Sequence, residues 1–360
     1  GQAVRIGYHI FAGPDGKEPR IPGVTARCEY GVEILVILAF LVYIIGVSLE
    51  KACDLLAFFC GLPLDKSQAD ALLRQLARHW EQEFEALCAL LAHAAVVALD
   101  ETGWKIGDQT CSLWALAAKG LRVFLFGCRK DDATLDKILP PDVFQGIGVS
   151  DNAAVYHQRF RAGQKCWAHL LRKVIRLALL YPRKRKYQRF LDQLLQLYYD
   201  AKRAATDKRL GEPGRQQRVL ELEERLRGLC APYWPATAGE LSPHEGAFGN
   251  LVNELIQLAA VHELFTFVLH PDDVEPTNNG VERMLRGPAQ DRKTGRTSKT
   301  AAGARRRSVI VSVLESLRVN LETFDLRSVL AEVRRWLTDG ISLFRRQWQE
   351  IESGLATDTG

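Results

Sequence analysis

The sequence predicts an α/β protein in which a few short strands sit inside a largely helical chain. Three observations carry that expectation. Apolar runs of strand length gather between residues 96 and 150, helical periodicity fills the chain on both sides, and Gly- or Pro-containing breaks separate the segments.

Residues 1–30, with Gly13-Pro14, Pro19 and Pro22, are expected to form an extended arm. Residues 31–95 are expected to be helical. Within them Ser48–Cys60 is amphipathic, Gly61-Leu62-Pro63 breaks it, and Asp65 or Ser67 can cap a second stretch to Trp80. Two helices around a short Gly-containing turn fit a helix-turn-helix, and equally a plain helical hairpin. The uncharged run Ile34–Leu49 would span about 24 Å as a helix, short of the roughly 30 Å hydrocarbon core of a bilayer. It is expected to be a core helix or a dimer interface.

Val96–Leu99 is an apolar run ending at Asp100, the pattern of a buried strand. Ser112–Ala118 and Arg122–Gly127 are further strands joined at Lys119-Gly120. Asp131–Leu139 is expected to be a helix stopped by Pro140-Pro141, and Gly146–Ser150 a strand ending at Asp151. From Tyr156 to about His270 the chain is expected to return to helix: Lys165–Tyr181, Tyr187–Thr206 and Gln216–Leu229, the last two separated by Gly211-Glu212-Pro213-Gly214, and Phe248–Leu269. A turn at 276–280 precedes a helix from Val281. A basic stretch then runs to Arg307, followed by helices over Val309–Leu321 and Arg327–Trp348.

Composition narrows the function classes. Of 360 residues, 47% are hydrophobic and 25% charged, which excludes wholesale disorder, collagen and a small disulfide scaffold. The eight cysteines contain no Cys-x-x-Cys pair and are expected to be reduced thiols of a cytoplasmic protein. The net charge of +5 hides two cationic tracts. Residues 159–189 hold eleven Lys/Arg and no Asp or Glu, and residues 283–307 hold nine against the single acid Asp291. Such concentration points to a polyanionic partner, most simply nucleic acid.

Asp100 and Asp151 each follow an apolar run. Strand ends are where ligands bind in open α/β sheets, and two carboxylates on adjacent strands can share a divalent ion that removes their repulsion. A helix N-cap is the alternative for Asp151, and a plain strand-end charge for Asp100. Glu282 fits a capping box with Asn279 as N-cap, yet it opens the second cationic tract, where a carboxylate beside phosphate-binding arginines suits metal-assisted chemistry. Glu101 is an alternative ligand, but adjacent strand residues face opposite ways.

Four ordered stretches are specific: Leu99-Asp100-Glu101-Thr102; Ser150-Asp151-Asn152-Ala153; Cys166-Trp167-Ala168-His169 followed by Arg172-Lys173; and 276–286, which reads Pro-Thr-Asn-Asn-Gly-Val-Glu-Arg-Met-Leu-Arg. Over roughly Tyr30 to Arg318 the chain resembles the DDE transposases of bacterial insertion sequences, in particular the insertion sequence 66 family. The resemblance implies a ribonuclease H-like catalytic core interrupted by a large all-helical insertion, with helical N- and C-terminal regions. Residues 96–180 and 271–320 would belong to the core, 181–270 to the insertion, and 321–360 to C-terminal helices.

It further implies Asp100, Asp151 and Glu282 as catalytic ligands of two Mg²⁺ (or Mn²⁺) ions. Those ions would serve DNA cutting and joining at element ends and target, by a homo-oligomer on the nucleoid, with element-encoded accessory proteins as further partners. DNA contacts are expected from Lys165, His169, Arg172, Lys173, Arg176, Arg183, Lys184, Arg185 and Lys186, and from Asn279, Arg283, Arg286, Arg292, Lys293 and Arg296. Cys166 and His169 have zinc-compatible types and spacing, with only two ligands apparent. The other readings are a DNA-binding relative without catalysis and a metal-dependent nuclease of the same fold. Relatives often carry a cysteine-rich N-terminal segment; here only Cys28 precedes residue 50.

Overall fold

Cap and break residues set the first boundaries. In the computed structural model, which describes residues 2–7, 23–24, 29–156, 159–234 and 242–358, helix α1 (Val32–Ala39) runs into a π-helical turn, Phe40–Ile45. Gly46 ends that turn at φ 77°, in the left-handed region where glycine carries no steric penalty. The single core helix expected over Ile34–Leu49 is therefore two pieces: α1 is buried, while the π turn is half-exposed. Most of the arm expected over 1–30, Cys28 included, lies outside the described residues. The described cysteines are free thiols. No helix among the described residues is long and apolar enough to cross a membrane.

Helix α2 (Leu49–Cys60) begins where the Ser48 hydroxyl accepts from Lys51 N–H at 3.2 Å and ends at Gly61. Helix α3 (Lys66–His79) opens with a full capping box: the Asp65 carboxylate accepts from Gln68 N–H, and the Gln68 side chain accepts from Asp65 N–H. Helix α4 (Glu81–Ala92) follows.

The strands are β1 (Val96–Ile106), β2 (Gln109–Ala118), β3 (Leu121–Cys128), β4 (Ile147–Ser150) and β5 (Ala162–Lys165), in the order β3-β2-β1-β4-β5. β2 and β3 pair antiparallel; β1, β4 and β5 are parallel. β1 runs past Asp100, where the apolar run stops, because Trp104 supplies a further buried position among the polar residues. The helix expected over Asp131–Leu139 shortens to α5 (Asp132–Asp136).

The chain divides into two compact units. One comprises Gly1–His93, Glu101–Pro140 and Met284–Gly360. Its most regular contact joins β3 to helix α12 (Ala301–Asn320). Ser308, Ser312 and Ser316 project toward the strand, and their hydroxyls accept from the N–H groups of Phe126 (2.9 Å), Phe124 (2.8 Å) and Arg122 (2.9 Å). The match follows from pitch: four helical residues advance about 6.0 Å and two strand residues about 6.7 Å. A helix thus does for this edge strand what a neighbouring strand would do. The Arg307 guanidinium is buried against the Asp291 carboxylate and lies 5.0 Å from the ring centroids of both Trp104 and Phe126. The helix expected over Arg327–Trp348 splits into α13 (Leu326–Asp339) and α14 (Leu343–Asp358) at Gly340, whose φ of 73° ends α13.

The other unit comprises Ala94–Asp100 and Pro141–Arg283. Its helices are α6 (Trp167–Leu180), α7 (Arg185–Thr206), α8 (Glu212–Cys230), α9 (Pro243–Ala260), α10 (Thr266–Leu269) and the start of α11 (Asn279–Lys293). They bury an aromatic core of Trp167, Tyr187, Phe190, Phe248, Phe265 and Phe267. β5 replaces expected helix. Its buried residues, Gly163, Gln164 and Lys165, carry no apolar alternation, and tertiary bonds hold it instead. Gln164 donates to Leu264 O at 3.0 Å and accepts from Phe267 N–H at 3.0 Å. The helix expected over Phe248–Leu269 breaks at His262, a non-glycine residue at φ 58° whose ring pairs with buried Glu223 at 2.9 Å.

Candidate functional site

The register of β1 and β4 places the first two acids. Val96 pairs with Ile147, Val97 with Gly148 and Ala98 with Val149. The same offset, carried on, sets Leu99 beside Ser150 and Asp100 beside Asp151, the first residue past β4. Neighbouring strands lie about 4.8 Å apart. Carried one residue past β4, that register puts Asp100 level with Asp151, while Glu101, the next residue of β1, pairs with Lys130. Asp151 does not cap an α-helix; its Oδ1 accepts from Ala153 N–H at 3.0 Å in a tight local turn.

The third acid is brought in by Asn278. This buried residue donates its N–H to Cys166 Sγ (3.2 Å) and its Nδ2 to Leu99 O (2.8 Å), while Trp167 N–H donates to Pro276 O (3.0 Å). Three bonds thus fix the entry to α11 against β1 and the start of α6. The helix begins at Asn279 rather than Val281, so the expected box with Asn279 as N-cap does not form. Glu282 instead extends its side chain to Arg172, whose Nη2 lies 3.1 and 3.3 Å from its two oxygens. His169 Nδ1 stands 3.6 Å from Glu282 Oε1.

Carboxylate oxygens suit hard ions such as Mg²⁺, and the level pair Asp100 and Asp151 fits that chemistry. Glu282 leans toward α6. Among the described residues, the close three-ligand group is Cys166, His169 and Glu282, whose ligand atoms all lie within 4.8 Å of one another. Burial pushes the Cys166 thiol up, against backbone N–H groups of Asn278, His169 and Ala168 that stabilise its thiolate.

The expected DNA contacts separate into three sets. Lys165 does not belong among them. It is 1% exposed, and its Nζ lies 3.3 Å from Ser150 Oγ, 3.4 Å from Tyr156 O and 3.6 Å from Glu263 Oε2. Burial pushes its ammonium down, opposed by the charges of Glu263 and Asp151. A second set already has acidic partners: Arg172 and His169 face Glu282, Lys173 Nζ meets Glu254 at 2.6 Å, and Lys186 lies 3.6 Å from Glu245. The third set is exposed: Arg176, Arg183, Lys184 and Arg185 make no ion pair among the described residues, and Asn279, Arg283, Arg286 and Lys293 also face solvent.

Much of the second cationic tract is already engaged by groups of the protein. Arg292 donates to Gly103 O (2.7 Å) and Thr102 Oγ1 (3.2 Å), and Arg296 donates to Gly46 O and to Thr294 Oγ1 (3.0 Å). Arg305 pairs with Glu81, and Arg306 with Asp70 at 2.7 Å. A feature the linear charge count misses is an open groove of about 420 Å³ between α3 and α12, lined by Arg74, Arg78, Arg305 and Arg306. Its sequence signals are the helical spacing on α3 (Arg74 and Arg78, four apart) and the end of the second cationic tract, Arg305 and Arg306.

A family model described as "Transposase IS66 family" matches residues 27–306, most of the chain. No curated protein matches it.

Proposed function

Because this chain belongs to the transposase IS66 family, we propose that it cuts and joins DNA at the ends of a transposable element, with Asp100, Asp151 and Glu282 as its catalytic carboxylates. The observation that supports this reading is the β1–β4 register from Val96–Ile147 to Ala98–Val149, whose continuation brings Asp100 level with Asp151, together with the bond from Asn278, four residues before Glu282, to the carbonyl of Leu99, the neighbour of Asp100. The strand order β3-β2-β1-β4-β5, with β2 and β3 antiparallel and β1, β4 and β5 parallel, supports a ribonuclease H-like core. Helices α7 to α9, lying in sequence between the second and third acids, then form the helical insertion.

Bound to these carboxylates, two Mg²⁺ (or Mn²⁺) ions would supply charge stabilisation at the attacking and leaving oxygens of a phosphodiester. The protein's own part is placement. Asp100, within β1, and Asp151, just past the end of β4, offer two oxygen-donor groups. Arg172 pairs with Glu282 at 3.1 Å, and its guanidinium, the nearest cation to that carboxylate among the described residues, is suited to offset charge on a phosphate beside it. The chemistry is two displacements at phosphorus: water opens a strand, and the freed 3′-hydroxyl attacks the target. Arg176 and 183–185 form the exposed grip on the sugar-phosphate backbone. Two element ends must be held together, so the working form is a homo-oligomer on DNA.

The test is a strand-transfer assay in Mg²⁺ on the element's terminal repeats. Asp100→Ala is expected to abolish cleaved and joined products while DNA binding persists. Joined product from Asp100→Ala at the wild-type rate would overturn the assignment, and cleavage by the wild type without joining would point to a nuclease.

A further inference from the structure

We propose that Cys166, His169 and Glu282 form a binding site for a thiophilic divalent ion of the zinc class. The sulfur and nitrogen donors sit one helical turn apart: Cys166 immediately precedes α6 and His169 lies in its first turn. Glu282 comes from the first turn of α11. The three ligand atoms lie within 4.8 Å of one another.

Two details distinguish this group from a chance cluster. His169 Nδ1 is enclosed by protein and has no hydrogen-bond partner. A buried imidazole nitrogen without a partner is costly, and a carboxylate facing it would normally close to about 2.8 Å. Instead Glu282 Oε1 stands off at 3.6 Å. Ligand bonds of about 2.0–2.3 Å at tetrahedral angles give edges of roughly 3.4–3.6 Å, so the separation matches two ligands of one ion. The second detail is preorganisation. Asn278 N–H donates to Cys166 Sγ, an outer contact that favours the thiolate, and the Asn278 side chain ties the same segment to Leu99 O.

The donor set also selects the ion. Mg²⁺ requires oxygen ligands in octahedral array, whereas one thiolate, one imidazole and one carboxylate suit zinc, with a fourth position left for water. Binding releases the Cys166 thiol proton to solvent, and His169 ligates through Nδ1 as the neutral Nε2–H tautomer. Arg172 keeps its place, because a carboxylate has two oxygens to share. Since Glu282 also belongs to the proposed hard-ion set, zinc occupancy competes with that set. This consequence rests on the proposed function; the site itself does not.

The test titrates Co²⁺ into the full, metal-stripped chain. A thiolate-to-cobalt charge-transfer band should saturate at one equivalent and be displaced by Zn²⁺. Cys166→Ser should remove the band, and His169→Ala should weaken binding at least tenfold, with far-ultraviolet circular dichroism reporting the fold. X-ray absorption of the zinc-loaded wild type gives a readout that needs no variant: one sulfur near 2.3 Å with nitrogen or oxygen neighbours. A shell without sulfur, or a band that survives Cys166→Ser, would overturn the site. Asp100→Ala separates the two claims, since it should leave the cobalt band intact whatever it does to strand transfer.

Discussion

Replacing Ser312 with Ala tests whether α12 acts as the missing neighbour of β3. The Ser312 hydroxyl is fully buried, accepts from Phe124 N–H at 2.8 Å and faces Phe124 O at 3.4 Å. Alanine keeps the helix, since its propensity is the higher of the two, and removes a single oxygen. The Phe124 amide is then enclosed, with no strand on that side to take it. Leaving a buried backbone donor unmet costs about 1–3 kcal/mol, against a helix-propensity gain of about 0.5 kcal/mol. We expect Ser312→Ala to lower the unfolding free energy by about 1.5 kcal/mol in urea denaturation followed by circular dichroism. Ser308→Ala combined with it should add a similar loss, because each hydroxyl serves its own amide. Ser353→Ala, on an exposed helical face, is the control and should stay within about 0.5 kcal/mol. A Ser312→Ala loss no larger than the control's would refute the account.

Changing Arg176, Arg183 and Lys184 together to Ala should weaken DNA binding uniformly across sequences and flatten the log–log salt dependence by about 2.7, near 0.9 per lost phosphate contact; an unchanged slope in a filter-binding titration would leave that face without its role. Burial raises the Glu83 carboxyl above its ordinary value, with the Ser342 hydroxyl acting against the shift. Its folded state therefore binds a proton more tightly than its unfolded state, so its contribution to stability is present below about 4.5 and is lost as pH rises through the higher folded value. Glu83→Gln should gain stability relative to wild type between pH 4.5 and 7 in parallel thermal melts, and a constant difference across that range would contradict this.

The helices announced themselves where caps and periodicity coincide. Ser48, Gly61 and Asp65 bound α2 and α3 where their chemistry says they should. Long apolar faces likewise marked α6 and α7. What stayed hidden depended on partners distant in sequence. β5 has no apolar alternation because Gln164 and Thr266 hold it by polar bonds across the unit. The breaks at His262 and Gly340 are single-residue changes of backbone conformation inside otherwise helical patterns. At the candidate site, Asp100, Asp151 and Glu282 were visible as strand-end and helix-start acids, and Cys166 and His169 as a two-ligand fragment. That Glu282 turns toward them could not be read from the chain, because it follows from how Asn278 fixes the start of α11. Net charge misled in one respect. Lys165 and Arg307 are counted as cations in the sequence but are buried, while Arg292, Arg305 and Arg306 are already engaged by protein groups.

The Asn278 ties have a further consequence for how this architecture tolerates change. At Pro276–Asn278 the chain returns to the start of α6, where a thiol, a strand carbonyl and a helix-start amide set its geometry. Helices α7–α10 do not hang from that junction alone: they share one hydrophobic core with Trp167 of α6, and Glu254 of α9 bonds Asn152 and Lys173. A change in the packing of those helices therefore reaches the segment that carries Glu282 through the core as well as along the chain.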